Sequence, residues 1–196
     1  MKFTVRFHDH LINSVQRIVA EYGVPGVVVE IGCFEGDTTF NLAAQMLPLR
    51  PSYHHYAIDP YSTSADLPEE NIASTRQIFL DNLAEFDTMH PGVVEFVNQD
   101  SWTAMVDLYQ RGVRADLIYI DGDHRAPAVL EDLVLGFRLL KPGGVIICDD
   151  AQVWRYQGSI TNSPRMAVDD FLHCYWDRIH IIELPGSYQV AFRRKI

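Results

Sequence analysis

The sequence predicts a doubly wound α/β sheet of seven strands, the last antiparallel, with helices on both faces. Three observations predict it. Short, β-rich apolar runs alternate with segments of helical period along the chain, and strands separated by helices build parallel sheets covered on both faces. The final two apolar runs are separated only by a short stretch around Pro185-Gly186. That is too short for a crossover, so they form a hairpin and the last strand runs against the others. The 196 residues are 47% hydrophobic, which suits one domain, residues 1–196, with a sizeable core.

The elements follow in order. A helix is expected over residues 9–22, with Leu11, Val15, Ile18 and Val19 on one face and Gly23 and Pro25 ending it. "GVVVEIG" (26–32) is a buried strand, and "TTFNLAAQML" (38–47) is a helix stopped before Pro48. Strand two is "HHYAID" (54–59). The helix at 68–86 opens on Pro68, a favoured first-turn residue. Strand three is "GVVEFVNQD" (92–100), and the short helix 101–111 ends at Gly112. Strand four is "ADLIYID" (115–121), followed by a helix over 124–140 with Asp123 as N-cap. Strand five is "GGVIICDD" (143–150). A loop, 151–163, precedes a helix at 163–175 capped by Ser163 with Pro164 at its first position. "RIHIIEL" and "SYQVAFRR" close the chain. Crossovers between parallel strands should be right-handed.

Bulk properties exclude several function classes. The net charge of −10 disfavours general binding to nucleic acid or to an anionic membrane surface. The longest basic run, Arg193-Arg194-Lys195, reads as a solvated end. No apolar run approaches the roughly 20 residues that span a bilayer, and the first residues lack the apolar core of a signal peptide. Cys33, Cys148 and Cys174 are not spaced as a zinc knuckle or redox pair and read as reduced thiols. The expected compartment is the cytoplasm.

Ligands of such sheets sit beyond the carboxyl ends of the strands, so function is sought there. The first strand end reads "VVVEIGCFEGDTTF", with glycines at Gly32 and Gly36. A dinucleotide fingerprint needs three glycines around a pyrophosphate. Here Phe34 and Asp37 stand in the second and third glycine places, and Glu30, Glu35 and Asp37 make the turn acidic. That composition argues against a nicotinamide oxidoreductase and suits a cationic ligand. At the second strand end Asp59 offers a carboxylate suited to a vicinal diol. At the third, Asp100 and Ser101 are polar, with Trp102 beside them. Each has a plainer reading as a turn or cap residue.

The pattern Glu30-x-Gly32-x-x-x-Gly36-x-Thr38 resembles the first motif of class I methyltransferases that use S-adenosylmethionine (SAM), which have Rossmann-like sheets. The resemblance implies SAM contacts from Glu30, Gly32, Gly36 and Thr38, ribose contacts from Asp59, and adenine-edge contacts from Asp100 and Ser101. It also implies that strands four and five are neighbours, so that Asp121 in "IDGDH" and Asp149-Asp150 in "CDDAQ" converge. Three close carboxylates need a cation to stay ionised, and Mg²⁺ takes such oxygen donors while keeping waters. "KPGGVIICDDAQ" with "RMAVDDFL" is similar to the metal-dependent macrocin-type O-methyltransferases, and the "IDGDH" form to a broader related set.

In that group Asp121, Asp149 and Asp150 would hold the metal, and His124 or Asp121 would accept the proton of a small-molecule hydroxyl. A neutral His124 is favoured near a helix N-terminus; the plain alternative is a solvent-facing first-turn residue. Alternatives for the whole chain are a metal-independent methyltransferase of small molecules or proteins, and a SAM-binding protein without transfer activity. The loop 151–163, with Trp154, Arg155 and Tyr156, is a candidate lid, and Arg155 or Arg165 a contact for an acidic acceptor. His8 and His10 read as solvated residues at a helix start, His54 and His55 as residues on opposite faces of a strand, and one of Asp169 and Asp170 as solvent-facing. Homo-oligomers are common among such enzymes, and no sequence feature fixes the state.

Overall fold

The computed structural model describes residues 1–4, 6, 8–62, 68–151 and 159–196, with the backbone alone for 8–10 and 160. The predicted lid residues Trp154, Arg155 and Tyr156 lie outside the described residues, as do the side chains of His8 and His10. The chain divides into two compact units, Met1–Asp100 and Ser101–Ile196.

The first unit runs α1 (His8–Tyr22), β1 (Val27–Ile31), α2 (Asp37–Met46), β2 (His54–Ile58), α3 (Glu69–Met89) and β3 (Val94–Val97). Its strands are all parallel, in the order β3-β2-β1. The predicted face of α1 is the one that packs: Leu11, Val15 and Ile18 are buried. Phe40 of α2 lies 5.4 Å from both Phe79 and Phe86 of α3, in tilted pairs. All three rings are fully buried, each worth about 1.5–3 kcal/mol in transfer from water.

The second unit runs α4 (Ser101–Gln110), β4 (Ala115–Ile120), α5 (Ala126–Leu139), β5 (Leu140–Cys148), α6 (Pro164–Cys174), β6 (Ile179–Ile182) and β7 (Val190–Arg194), with short 3₁₀ turns before and after α6. Its order is β4-β5-β7-β6. β4 and β5 are parallel, and β7 runs antiparallel to both β5 and β6. The seven strands make the mixed sheet of an α/β Rossmann-like fold, with the predicted antiparallel C-terminal hairpin. Phe171 of α6 packs on Phe192 of β7 at 5.2 Å and stacks on Tyr175 at 4.3 Å.

Several boundaries differ from expectation: α3 runs on to Met89, β3 is only Val94–Val97 and β7 starts at Val190, and two further differences flank α5. β5 begins at Leu140, directly after α5, and not at Gly143. Lys141 and Pro142 lie between the expected helix and strand; Lys141 Nζ holds Asp116 Oδ1 at 2.7 Å, tying the early part of β5 to β4. The β4–β5 register shifts between Ala115 and Leu117 to accommodate it. The second difference is the cap of α5. Arg125 occupies the N-cap position, not Asp123. The Asp123 carboxylate instead accepts from the Arg125 backbone N–H at 2.9 Å and from its guanidinium, closing a turn two residues ahead of the cap. Ser163 does cap α6 by position, with Pro164 in the first turn, but its hydroxyl makes no capping hydrogen bond.

Candidate active site

The turn after β1 is built on left-handed backbone. Gly32 has φ +83°, Phe34 +46° and Gly36 +84°. Gly36 is constrained twice over. Its φ disfavours any side chain, and a Cβ there would strike the Phe40 ring and lie 3.0 Å from Phe79 Cδ2. Gly36→Ala is expected to cost at least about 2 kcal/mol, combining backbone strain with displaced core rings. Urea unfolding with an unchanged midpoint would refute this account of the turn.

The acids of the turn are turned inward. Glu30 is fully buried. Its Oε2 accepts from Thr39 Oγ1 at 2.6 Å and contacts His55 Nε2 at 2.9 Å, and His55 Nδ1 contacts Tyr53 Oη at 2.8 Å. Glu35 accepts from the Thr4 backbone N–H at 2.6 Å and from the Thr4 hydroxyl. Asp37 Oδ1 accepts from Asn41 Nδ2 at 3.0 Å. The acidity that pointed to a cationic ligand is therefore partly consumed inside the protein. What remains is Glu30 Oε1, a buried oxygen with no hydrogen-bond partner. Thr38 is buried in the first turn of α2. The residue next to it, Thr39, makes the Glu30 contact.

Asp59 follows β2 and reaches back to the same turn. Its Oδ2 accepts from the backbone N–H groups of Cys33 and Phe34, both at 3.1 Å, and its Oδ1 from Tyr61 N–H at 2.8 Å. Burial pushes its carboxyl above the usual range, and these three donors pull it back. A carboxylate has about four acceptor sites, so a two-point grip on a ribose diol requires at least one backbone donor to yield. Tyr61, itself left-handed at φ +48°, donates its hydroxyl to the Phe34 carbonyl at 2.5 Å. Asp100 is exposed after β3. The turn thus gathers Glu30, Gly32, Gly36, Thr38 and Asp59, with glycine curvature and a carboxylate at the strand end, the donor chemistry that a nucleoside bearing a cationic amino-acid arm requires.

In the second unit, Ser101 opens α4 and donates to the buried Asp132 at 2.5 Å. The β4–β5 rim holds the other predicted residues. Ile120 pairs with Cys148, and Asp149 N–H bonds the Ile120 carbonyl at 2.9 Å, so Asp121 and Asp149 leave the sheet side by side. Tyr119, fully buried, contacts both carboxylates through its hydroxyl: Asp121 Oδ2 at 2.9 Å, and Asp149 Oδ2. Gln189, ahead of β7, adds Nε2 to Asp149 Oδ2 at 3.1 Å. Asp150 is left-handed at φ +51° and donates its N–H to Asp149 Oδ1 at 2.7 Å. His124 Nε2 lies 3.5 Å from Asp121 Oδ1 and 3.5 Å from Asp150 Oδ2. All four predicted residues are therefore brought together.

A phenol has one proton to give, and here it faces two carboxylates. Burial, with the Asp149 charge adding to it, pushes the Asp121 carboxyl up to about 7, while His124 and Tyr119 lower it. Among the described residues no group of three or more His, Cys, Asp or Glu side chains is placed to hold a metal ion. The rim does bring together three carboxylates, oxygen donors of the type a hard divalent cation takes, with Tyr119 and Gln189 holding two of them. Residues missed by sequence reasoning are Thr39, Tyr53, His55, Tyr61, Tyr119 and Gln189. For two of them the signal was strand alternation. It puts His55 on the face of Glu30 and Tyr119 on the face of Asp121.

Comparisons with known proteins bear on the family and the fold. A methyltransferase-domain family profile matches residues 29–151. An uncharacterized protein of Acanthamoeba polyphaga mimivirus is 26% identical over 174 residues, covering 86% of this chain and 69% of that one. Among solved structures, a caffeoyl-CoA O-methyltransferase candidate from Staphylococcus aureus is similar at a TM-score of 0.70 and 16% identity, over 98% of this chain and 86% of that one. An O-methyltransferase from Bacillus cereus bound to S-adenosylhomocysteine (SAH) gives 0.69 at 16% identity, over 98% and 84%. The O-methyltransferase of tomaymycin synthesis from Streptomyces achromogenes, bound to SAM, gives 0.64 at 17% identity, over 95% and 79%. At such identities these likenesses establish the fold.

Proposed function

The chain belongs to the methyltransferase-domain family, and from that premise we propose that it is a Mg²⁺-assisted O-methyltransferase acting on a hydroxyl of a small molecule such as a sugar or natural product. That it is a SAM-dependent methyltransferase follows from the family and fold; the acceptor and the metal are the proposal. The observation that carries it is the convergence of Asp121, Asp149 and Asp150 on one rim with His124 between two of them.

In this reading Glu30, Gly32, Gly36, Thr38, Asp59, Asp100 and Ser101 serve the cofactor. Asp121, Asp149 and Asp150 hold the cation, with Tyr119 and Gln189 fixing the angles of the first two. When bound, a divalent ion lowers the pKa of an acceptor hydroxyl and fixes its oxygen. His124 Nε2, at 3.5 Å from Asp121 and Asp150, takes the proton, or Asp121 does so once ionised. Likeness of "KPGGVIICDDAQ" and "RMAVDDFL" to macrocin-type enzymes supports a hydroxyl-bearing acceptor. No helix among the described residues is long and apolar enough to cross a membrane. Buried, free Cys33 and Cys148 fit a reducing, cytoplasmic setting.

A second reading is favoured by the absence of a closed metal cage among the described residues and by the proton that Asp121 can hold near neutrality. It is metal-independent transfer with His124 as base. The deciding experiment is methyl transfer from labelled SAM to a panel of sugars, phenols and catechols, in EDTA and in Mg²⁺. Turnover restored only by Mg²⁺ supports the first reading, and full turnover in EDTA the second. For the cofactor, Asp59→Ala is expected to weaken SAH binding by about 100-fold, the loss of roughly two charge-assisted hydrogen bonds. Calorimetry showing unchanged affinity would remove Asp59 from the site.

A further inference from the structure

The second unit carries a cavity of ≈ 160 Å³ lined by Tyr109, Phe137, Arg138, Tyr175, Arg178 and Arg194, none of them given a site role above. It opens at the C-terminal ends of α4, α5 and α6, with β7 supplying Arg194. We propose that it is a binding site for a compact oxyanion, the phosphoryl group of a small molecule.

Charge is the first argument. Among the described residues, none of the three arginines is paired with a carboxylate. Arg194 Nη1 donates to the carbonyls of Phe137 and Leu140 at 3.1 and 2.6 Å. Arg178 lies over the rings of Phe137 and Tyr175 at 5.3 and 5.8 Å. Arg138 is exposed in the last turn of α5. The local negative charge does not match them. Each helix C-terminus contributes roughly −0.5, so three of them leave a surplus of cation. The neighbouring Asp177 removes at most one of these charges, and Lys195 Nζ, on the Asp177 main-chain carbonyl at 3.0 Å, adds another cation beside it. This surplus sits on a chain of net charge −10.

Geometry is the second argument. A guanidinium stacked on a ring keeps its N–H edge for an oxyanion, in the planar fork that suits phosphate. The Phe137 ring carries Arg178 on one contact and Arg194 on another at 5.0 Å, which fixes two forks around one ring. Phe137 packs edge-on to Tyr175 at 4.8 Å, and Tyr109 carries Arg114 on one face at 4.1 Å. The three guanidinium groups therefore select a charged head group. The acidic remainder of the molecule repels long polyanions, which leaves a small ligand.

The test is calorimetric titration of the full chain with pyrophosphate and with inorganic phosphate, at low and at high NaCl. Expected is binding with a dissociation constant of about 1 mM or tighter, weakened by salt. Arg138→Gln combined with Arg178→Gln should weaken it at least about tenfold, while Arg76→Gln on α3 leaves it unchanged. Should the double variant unfold, Arg138→Gln alone carries the test, because that side chain is exposed and holds no other group. Preference for pyrophosphate over phosphate would indicate a diphosphate head group, and the reverse a monoester. Absence of heat with both, or equal affinity in the arginine variants, overturns the proposal. SAH binding, measured in parallel, is independent of either outcome.

Discussion

Asp150→Asn is expected to lower the affinity for Mg²⁺ by about 100-fold or more, the upper range for changes one shell away from a metal and a floor for a direct ligand. Asparagine is the informative choice. Asp150 has φ +51°, a conformation that asparagine tolerates and alanine does not. The variant therefore removes charge without adding backbone strain. Its N–H bond to Asp149 Oδ1 at 2.7 Å is made by the main chain and survives. In the parent protein Mg²⁺ should raise the stability by about 2.7 kcal/mol at one hundred times its dissociation constant. The shift should vanish in Asp150→Asn and in Asp149→Asn. Calorimetry and thermal unfolding in EDTA against Mg²⁺ read both effects. A parent protein whose melting is indifferent to Mg²⁺, and which gives no heat with it, would leave the rim without a cation.

Much of this rim is legible in the sequence because the requirement is local. A carboxylate at a strand end stays at the strand end whatever the rest of the chain does, and neighbouring strands bring such residues together. Asp121 and Asp149 are of this kind. Glu30 is not. Its position on β1 is local, but the direction of its carboxylate is decided by His55 on β2 and Thr39 on α2, 25 and 9 residues away. The residue named for the cofactor turn thus has one carboxylate oxygen, Oε2, committed by packing, and only Oε1 left over. Asp123 shows the same limit at short range. Its N-cap signal competed with an arginine two residues on, and the guanidinium won. Tyr119 read as one more apolar residue of a strand, because periodicity registers a ring and not the hydroxyl at its tip. The start of β5 escaped because Lys141 and Pro142 stand between the helical period and the apolar run, while the pairing of Leu140 with Ala115 and of Lys141 with Asp116 is made by a distant strand.

The proton on that rim yields the other large effect. In EDTA the protein is expected to lose stability as pH rises from about 4 to above 7. Asp121 titrates near its ordinary value of 3.8 when unfolded and at about 7 when folded. Between these values the folded state binds the proton and the unfolded state does not, so the free energy of unfolding falls with pH. Below pH 4 both states are protonated and the contribution is complete; above 7 both are ionised and it is gone. At about 1.4 kcal/mol per unit, the ceiling is on the order of 4 kcal/mol. Asp59 is displaced in the same direction, so the parent curve contains both groups and Asp121→Asn isolates one. That variant keeps a polar partner for Tyr119 and cannot ionise, so its melting temperature should change less with pH over the same interval. Mg²⁺ should flatten the parent curve as well, because an ion seated on Asp121 takes the place of the proton and releases it. Chemical denaturation at pH 5 and pH 8 measures the difference, and an Asp121→Asn curve parallel to the parent's would mean that Asp121 is already ionised in the folded rim.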